Sequence, residues 1–164
     1  MYVNGNTVNI VGKKTTLLAG GSSFSGVGQI NLQLNGGNDK VKFIGTFFGL
    51  INVQETWGQD KVELKGNYGG FINVDLGVGS DKFEAKKGAF TGGIQVDMGA
   101  GYDKIELEKA TFAAAVNIDA GSGWDYLEMK DVNFLAPSVI DGNDGGFIKK
   151  WKSVSGPVAV LNFV

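Results

Sequence analysis

The chain has 164 residues, a formal net charge of −2 and a pI of about 5.1, with 43% hydrophobic residues. That length fits one domain with its own core, and the acidic balance argues against general attraction to nucleic acid or anionic lipid. Cys and His are absent and all fifteen basic residues are Lys, which excludes disulfides, thiolate or imidazole metal ligation, the usual general base near neutral pH and the planar Arg fork.

At the N-terminus, Met1-Tyr2-Val3-Asn4-Gly5 has no basic stretch leading into an apolar one, so no classical signal peptide is expected. The chain is then cytoplasmic, leaves the cell by another route, or is an excised piece. No apolar run approaches the roughly 20 residues of a membrane helix, so no membrane span is expected. Segment 1–29 reads as an N-terminal cap, within which Val3–Ile10 looks like a half-turn with Asn6 in a position that aspartate holds later.

From residue 30 the sequence repeats. Asp39, Asp60, Asp81, Asp103 and Asp125 are spaced 21, 21, 22 and 22 residues apart, and the residue types around them recur. A fixed period of this size marks stacked units. Ahead of each aspartate stand Ile30/Leu32, Ile51/Val53, Ile72/Val74, Ile94/Val96 and Val116/Ile118, with an amide between the members of each pair (Asn31, Asn52, Asn73, Gln95, Asn117). That is the alternation of a short strand with one face inward. A second strand follows, carrying Val41/Phe43, Val62/Leu64, Phe83/Ala85, Ile105/Leu107 and Leu127/Met129 inward and Lys42, Glu63, Glu84, Glu106 and Glu128 outward. Phe47, Tyr68, Phe90 and Phe112 form a third apolar column, which Phe134 continues at a small shift.

No unit buries enough apolar surface to fold alone. Stacked about 4.8 Å apart, the units make parallel sheets around a continuous core. The sequence therefore predicts an all-β, right-handed parallel β-solenoid, β-helix-like or β-roll-like, as one domain over 1–164. About five regular turns occupy 30–138, with irregular caps at 1–29 and 139–164.

The strands are joined by glycine corners: Asp75-Leu-Gly-Val-Gly-Ser-Asp81, Asp97-Met-Gly-Ala-Gly-Tyr-Asp103 and Asp119-Ala-Gly-Ser-Gly-Trp-Asp125. The earlier corners, Gln33–Asp39 and Gln54–Asp60, are degenerate. Gly-x-Gly-x-Asp-x-hydrophobic resembles the nonapeptide of RTX (hemolysin-type) calcium-binding β-rolls over roughly residues 35–128. The resemblance implies calcium held between turns by corner carbonyls and aspartates, with Asp75, Asp81, Asp97, Asp103, Asp119 and Asp125 as the metal ligands. This chain departs from the family pattern. It has one signature per 21–22 residues, Leu76, Met98 and Ala120 replace the doubled first glycine, and Lys40, Lys61, Lys82 and Lys104 follow the aspartates.

Two readings of the aspartates stand side by side. A calcium ion would relieve their mutual repulsion, about 0.9 kcal/mol per neighbour in water. Alternatively each aspartate caps its own turn through backbone N–H groups while the lysines balance charge.

Outside the corners, the Lys and Glu columns read as a solvated face with cross-turn ion pairs. The amide column reads as a ladder, and Trp57, Tyr102 and Trp124 as corner aromatics that cover the turn below or stack on a sugar ring. The final Val160-Leu161-Asn162-Phe163-Val164 resembles the RTX export tail and equally suits a last strand.

Nearly equal unit lengths and the lack of a singular carboxylate pair point away from catalysis. The expected function is a structural or adhesive repeat module of a secreted or cell-surface bacterial-type protein, with calcium as its cofactor where the metal reading of the aspartates holds. Expected partners are surface polysaccharide or other copies of the chain. The alternative is a carbohydrate-binding or polysaccharide-cleaving β-helix.

Overall fold

The alternating strands close into coils. The computed structural model describes residues 2–5, 7–9 and 23–163; these contain no helix, and the chain winds as a parallel β-solenoid of about six turns, each of about 22 residues. One sheet stacks the long strands Lys40–Phe47, Lys61–Tyr68, Lys82–Phe90, Lys104–Phe112, Asp125–Phe134 and Gly146–Ser155. The other stacks Gln29–Gly36, Leu50–Gly58, Ile72–Asp75, Ile94–Asp97, Val116–Asp119, Ser138–Asp141 and Val158–Leu161.

Like stands over like. Ile94 pairs with Ile72 and Val116, Val96 with Val74 and Ile118, and Asp97 with Asp75 and Asp119. The inward columns make one core in which Phe43, Leu64, Phe83, Ile105 and Leu127 are fully buried. Tyr68, Phe90, Phe112 and Phe134 stack ring on ring at centroid distances of 5.3, 5.0 and 5.2 Å. Phe134 pairs directly with Phe112, without the expected shift. The period of 22 persists because buried Ser138 opens the next turn in the Ile/Val column, its Oγ accepting the Val116 N–H at 3.0 Å.

Two local features set the turn length and shape. The step from 21 to 22 residues is one inserted residue in the long strand: Lys86 pairs with Lys65, yet Phe90 pairs with Tyr68. Lys87, Lys109, Asp131 and Ser153 occupy this bulge with φ of 51–55°, so each later turn repeats the same left-handed kink. The corner is set by Gly77, Gly99 and Gly121, whose φ of 74°, 86° and 79° lies in the left-handed region. There the strand breaks, and a two-residue strand follows (Val78–Gly79, Ala100–Gly101 or Ser122–Gly123). The degenerate corner of the earlier turn lacks this glycine, and Leu50–Gly58 runs through unbroken.

The ends differ from expectation. Tyr2–Gly5 adds parallel to 44–47, but Thr7–Asn9 folds back antiparallel on it and Ser23–Phe24 joins that strand. This is a hairpin in place of the expected half-turn, and it covers the outer edge of Tyr2–Gly5, ending the parallel stacking there. Asn6 and Ile10, on which that expectation rested, lie outside the described residues, as does Val164. At the other end the stack continues one turn beyond the expected limit: Gly146–Ser155 lies on Asp125–Phe134 and Val158–Leu161 on Ser138–Asp141. Gly146 stands opposite Asp125, so the aspartate that marks each earlier turn is missing from this one.

Candidate functional site

The two aspartates of each corner sort to different environments. Asp60, Asp81, Asp103 and Asp125 face inward and are buried. Each accepts, at Oδ1, the backbone N–H of the corresponding aspartate one turn earlier: Asp60 from Asp39 at 2.7 Å, Asp81 from Asp60 at 2.8 Å, Asp103 from Asp81 at 2.7 Å and Asp125 from Asp103 at 2.9 Å. The capping reading thus holds in a changed form, because the cap reaches across turns and joins them. The Oδ2 atoms of all four are buried and have no hydrogen-bond partner. Burial pushes Asp103 up to about 7 against the opposing Asp81 N–H, with Asp81 and Asp125 adding to the rise. Burial likewise raises Asp81 and Asp125 to about 6.

Asp97 and Asp119 are exposed and cap their own turns, accepting the N–H of Gly99 at 3.0 Å and of Gly121 at 2.9 Å; Asp141 repeats this with Asn143 at 3.0 Å. Asp75 lies in register with them. Burial raises Asp97 above the ordinary carboxylate range, opposed by the Gly99 N–H and assisted by Asp119 and Asp75. The six aspartates implied as calcium ligands therefore form an inner file (Asp81, Asp103, Asp125) and an outer file (Asp75, Asp97, Asp119). No three of them are brought together as a donor set.

A different trio is brought together. Carboxylate oxygens of Asp39, Glu55 and Asp60 all lie within 4.8 Å of one another, the one such acidic trio among the described residues. Glu55 is 5% exposed and its Oε2 has no partner. It occupies the inward column that Leu76, Met98 and Ala120, all fully buried, fill in later turns. Burial first, then the charges of Asp60, Asp39 and Asp81, push Glu55 up to about 7. The sequence holds a signal for this residue: Glu55 precedes its corner aspartate by the same interval as Leu34, Leu76, Met98 and Ala120 precede theirs, an acid in a column of apolar side chains.

The outward Lys and Glu columns form a ladder more buried than a solvated face. Glu84, 3% exposed, is held by Lys61 at 2.5 Å, Lys82 at 2.7 Å and Lys86 at 3.0 Å. Glu106 is held by Lys82, Lys86 and Lys104. Burial alone would raise both acids, but the lysine bonds outweigh it and hold each below the ordinary carboxylate range. The amide ladder is made at one step, from Asn52 Nδ2 to Asn31 Oδ1 at 2.9 Å. Among the corner aromatics, Trp57 lies over Gly36, where a Cβ would meet its ring at 2.4 Å, and Trp124 packs on Phe147 at 5.1 Å. Tyr102 is 66% exposed.

No family model, curated protein or solved structure matches the chain. What the chain can do is therefore argued from its own geometry.

Proposed function

We propose that this chain is a non-catalytic structural or adhesive module, a rod whose repeated outer surface is its working part, in a secreted or cell-surface protein of RTX-like corner chemistry. The observation behind this reading is the uniformity of the turns. Between Lys61 and Phe134 the columns Val62/Phe83/Ile105/Leu127, Glu63/Glu84/Glu106/Glu128 and Leu64/Ala85/Leu107/Met129 keep their residue class from strand to strand, so within these columns no acid–base pair is set apart as catalysis requires. The ion-pair ladder and the stacked aromatic rings both run along the rod, tying each turn to the next. Exposed Trp57, Tyr102 and Trp124 give an adhesive module faces for sugar rings. Calcium on the six corner aspartates is the motif's suggestion; the module reading does not need it, because N–H groups already engage the inner file.

The test is a polysaccharide panel read two ways, by retardation in affinity gels and by release of reducing ends. Retardation that Tyr102→Ala weakens, with no ends released, is the expected result. Release of reducing ends by the wild-type chain would replace this reading with the polysaccharide-cleaving one.

A further inference from the structure

We propose that Asp39, Glu55 and Asp60 form a binding site for one divalent, oxygen-preferring cation. The site joins two members of the periodic aspartate series, Asp39 and Asp60, to Glu55, shares none of the six aspartates that the RTX resemblance implies, and is independent of the module reading.

Three observations converge on it. The first is the convergence of the three carboxylates, whose ligand oxygens lie within 4.8 Å of one another. The second is the state of the buried oxygens. Glu55 Oε2 and Asp60 Oδ2 are both fully enclosed and unpartnered, and no lysine among the described residues forms an ion pair with any of the three acids. A buried, unpaired carboxylate is costly, and a cation is what compensates several at once. The third is the placement of Glu55 itself. The turns above it put Leu76, Met98 and Ala120 in this column, so the fold has no structural need for an acid there.

Asp60 Oδ2 lies 2.9 Å from where a Cβ on Gly58 would stand, so a side chain at that corner would crowd the carboxylate. Glu55 also lines an open depression with Gln33, Gln54 and Thr56. With neither His nor Cys in the chain, nothing favours zinc or copper over a hard cation.

The experiment uses the full chain freed of metal by EDTA and dialysis. Calorimetric titration with CaCl2 and with MgCl2 is paired with terbium luminescence, for which Trp57, two residues from Glu55, is the expected donor. The wild type should bind one calcium per chain. Glu55→Gln should weaken calcium by roughly tenfold or more, as loss of one charged ligand does, while Asp97→Asn in the outer file should leave it unchanged. Trp57→Phe should abolish terbium emission and leave the calcium titration intact. Metal-free Glu55→Gln should melt no lower than the metal-free wild type at pH 8, which excludes misfolding as the cause of lost binding. Undiminished calcium binding by Glu55→Gln would overturn the site. So would a wild-type chain that binds no calcium and responds at Glu55 to pH alone, since the trio would then hold only a proton.

Discussion

Replacing Asp103 by Asn tests whether the inner aspartate file stores stability that depends on protons. Asp103 is fully buried, its Oδ1 accepts the Asp81 N–H at 2.7 Å, and its Oδ2 has no partner. Burial raises it from 3.8 to about 7, so the folded chain holds this proton more tightly than the unfolded chain. Its contribution is fully present below about pH 4 and is lost as pH rises through about 7, a swing of roughly 4 kcal/mol for a shift of this size. Asparagine keeps the Oδ1 acceptor and carries no charge at any pH, but its amide N–H groups enter a space without an acceptor, at about 1–3 kcal/mol. Relative to wild type, Asp103→Asn should therefore be more stable at pH 8 by about 1–3 kcal/mol and less stable at pH 4 by a similar amount. Urea unfolding at intervals between pH 4 and 8, with EDTA throughout, measures the difference. Parallel stability–pH curves for the two proteins would refute the reasoning, since they would mean Asp103 titrates alike folded and unfolded.

Four further outcomes follow from the packing. Gly88→Ala would place a Cβ 1.6 Å from the Gly66 carbonyl oxygen, a backbone atom that cannot swing away, and should cost about 3 kcal/mol or more. Gly28→Ala meets nothing within 4 Å and should stay within about 0.5 kcal/mol of wild type by thermal melting. Phe112→Ala removes a ring stacked on both Phe90 and Phe134 and should cost about 3–5 kcal/mol in urea unfolding. Because Lys82 holds both buried Glu84 and Glu106, Lys82→Met should cost about 1–3 kcal/mol, more than a surface pair. It should also flatten the loss of stability below pH 4.5, because acids no longer held down by Lys82 give up less stability on taking protons; an unaltered acid limb would count against the ladder.

How much was legible in the sequence differs from place to place for identifiable reasons. The columns Ile51/Ile72/Ile94 and Phe90/Phe112/Phe134 could be read directly, because an in-register solenoid puts residues one period apart in contact. The sixth turn was hidden because Gly146 stands where an aspartate marks the others, although Ile140 keeps the inward column. The hairpin at Thr7–Asn9 was hidden because strand direction reverses without changing the alternation of residue types.

The candidate trio shows the same division. That Asp39 and Asp60 are neighbours follows from a spacing of 21 residues. That Glu55 meets them does not, because it depends on how a single turn closes on itself.

What the sequence alone determined is the stacking: a constant period forces equivalent residues into files along one axis. What only the tertiary structure decided is everything across that axis. It separated the inner aspartates from the outer ones, placed the extra residue of the longer turns at Lys87, and brought Glu55 up against Asp60. A period counts the residues in a turn, whereas the bends and bulges within it set which side chains face one another inside.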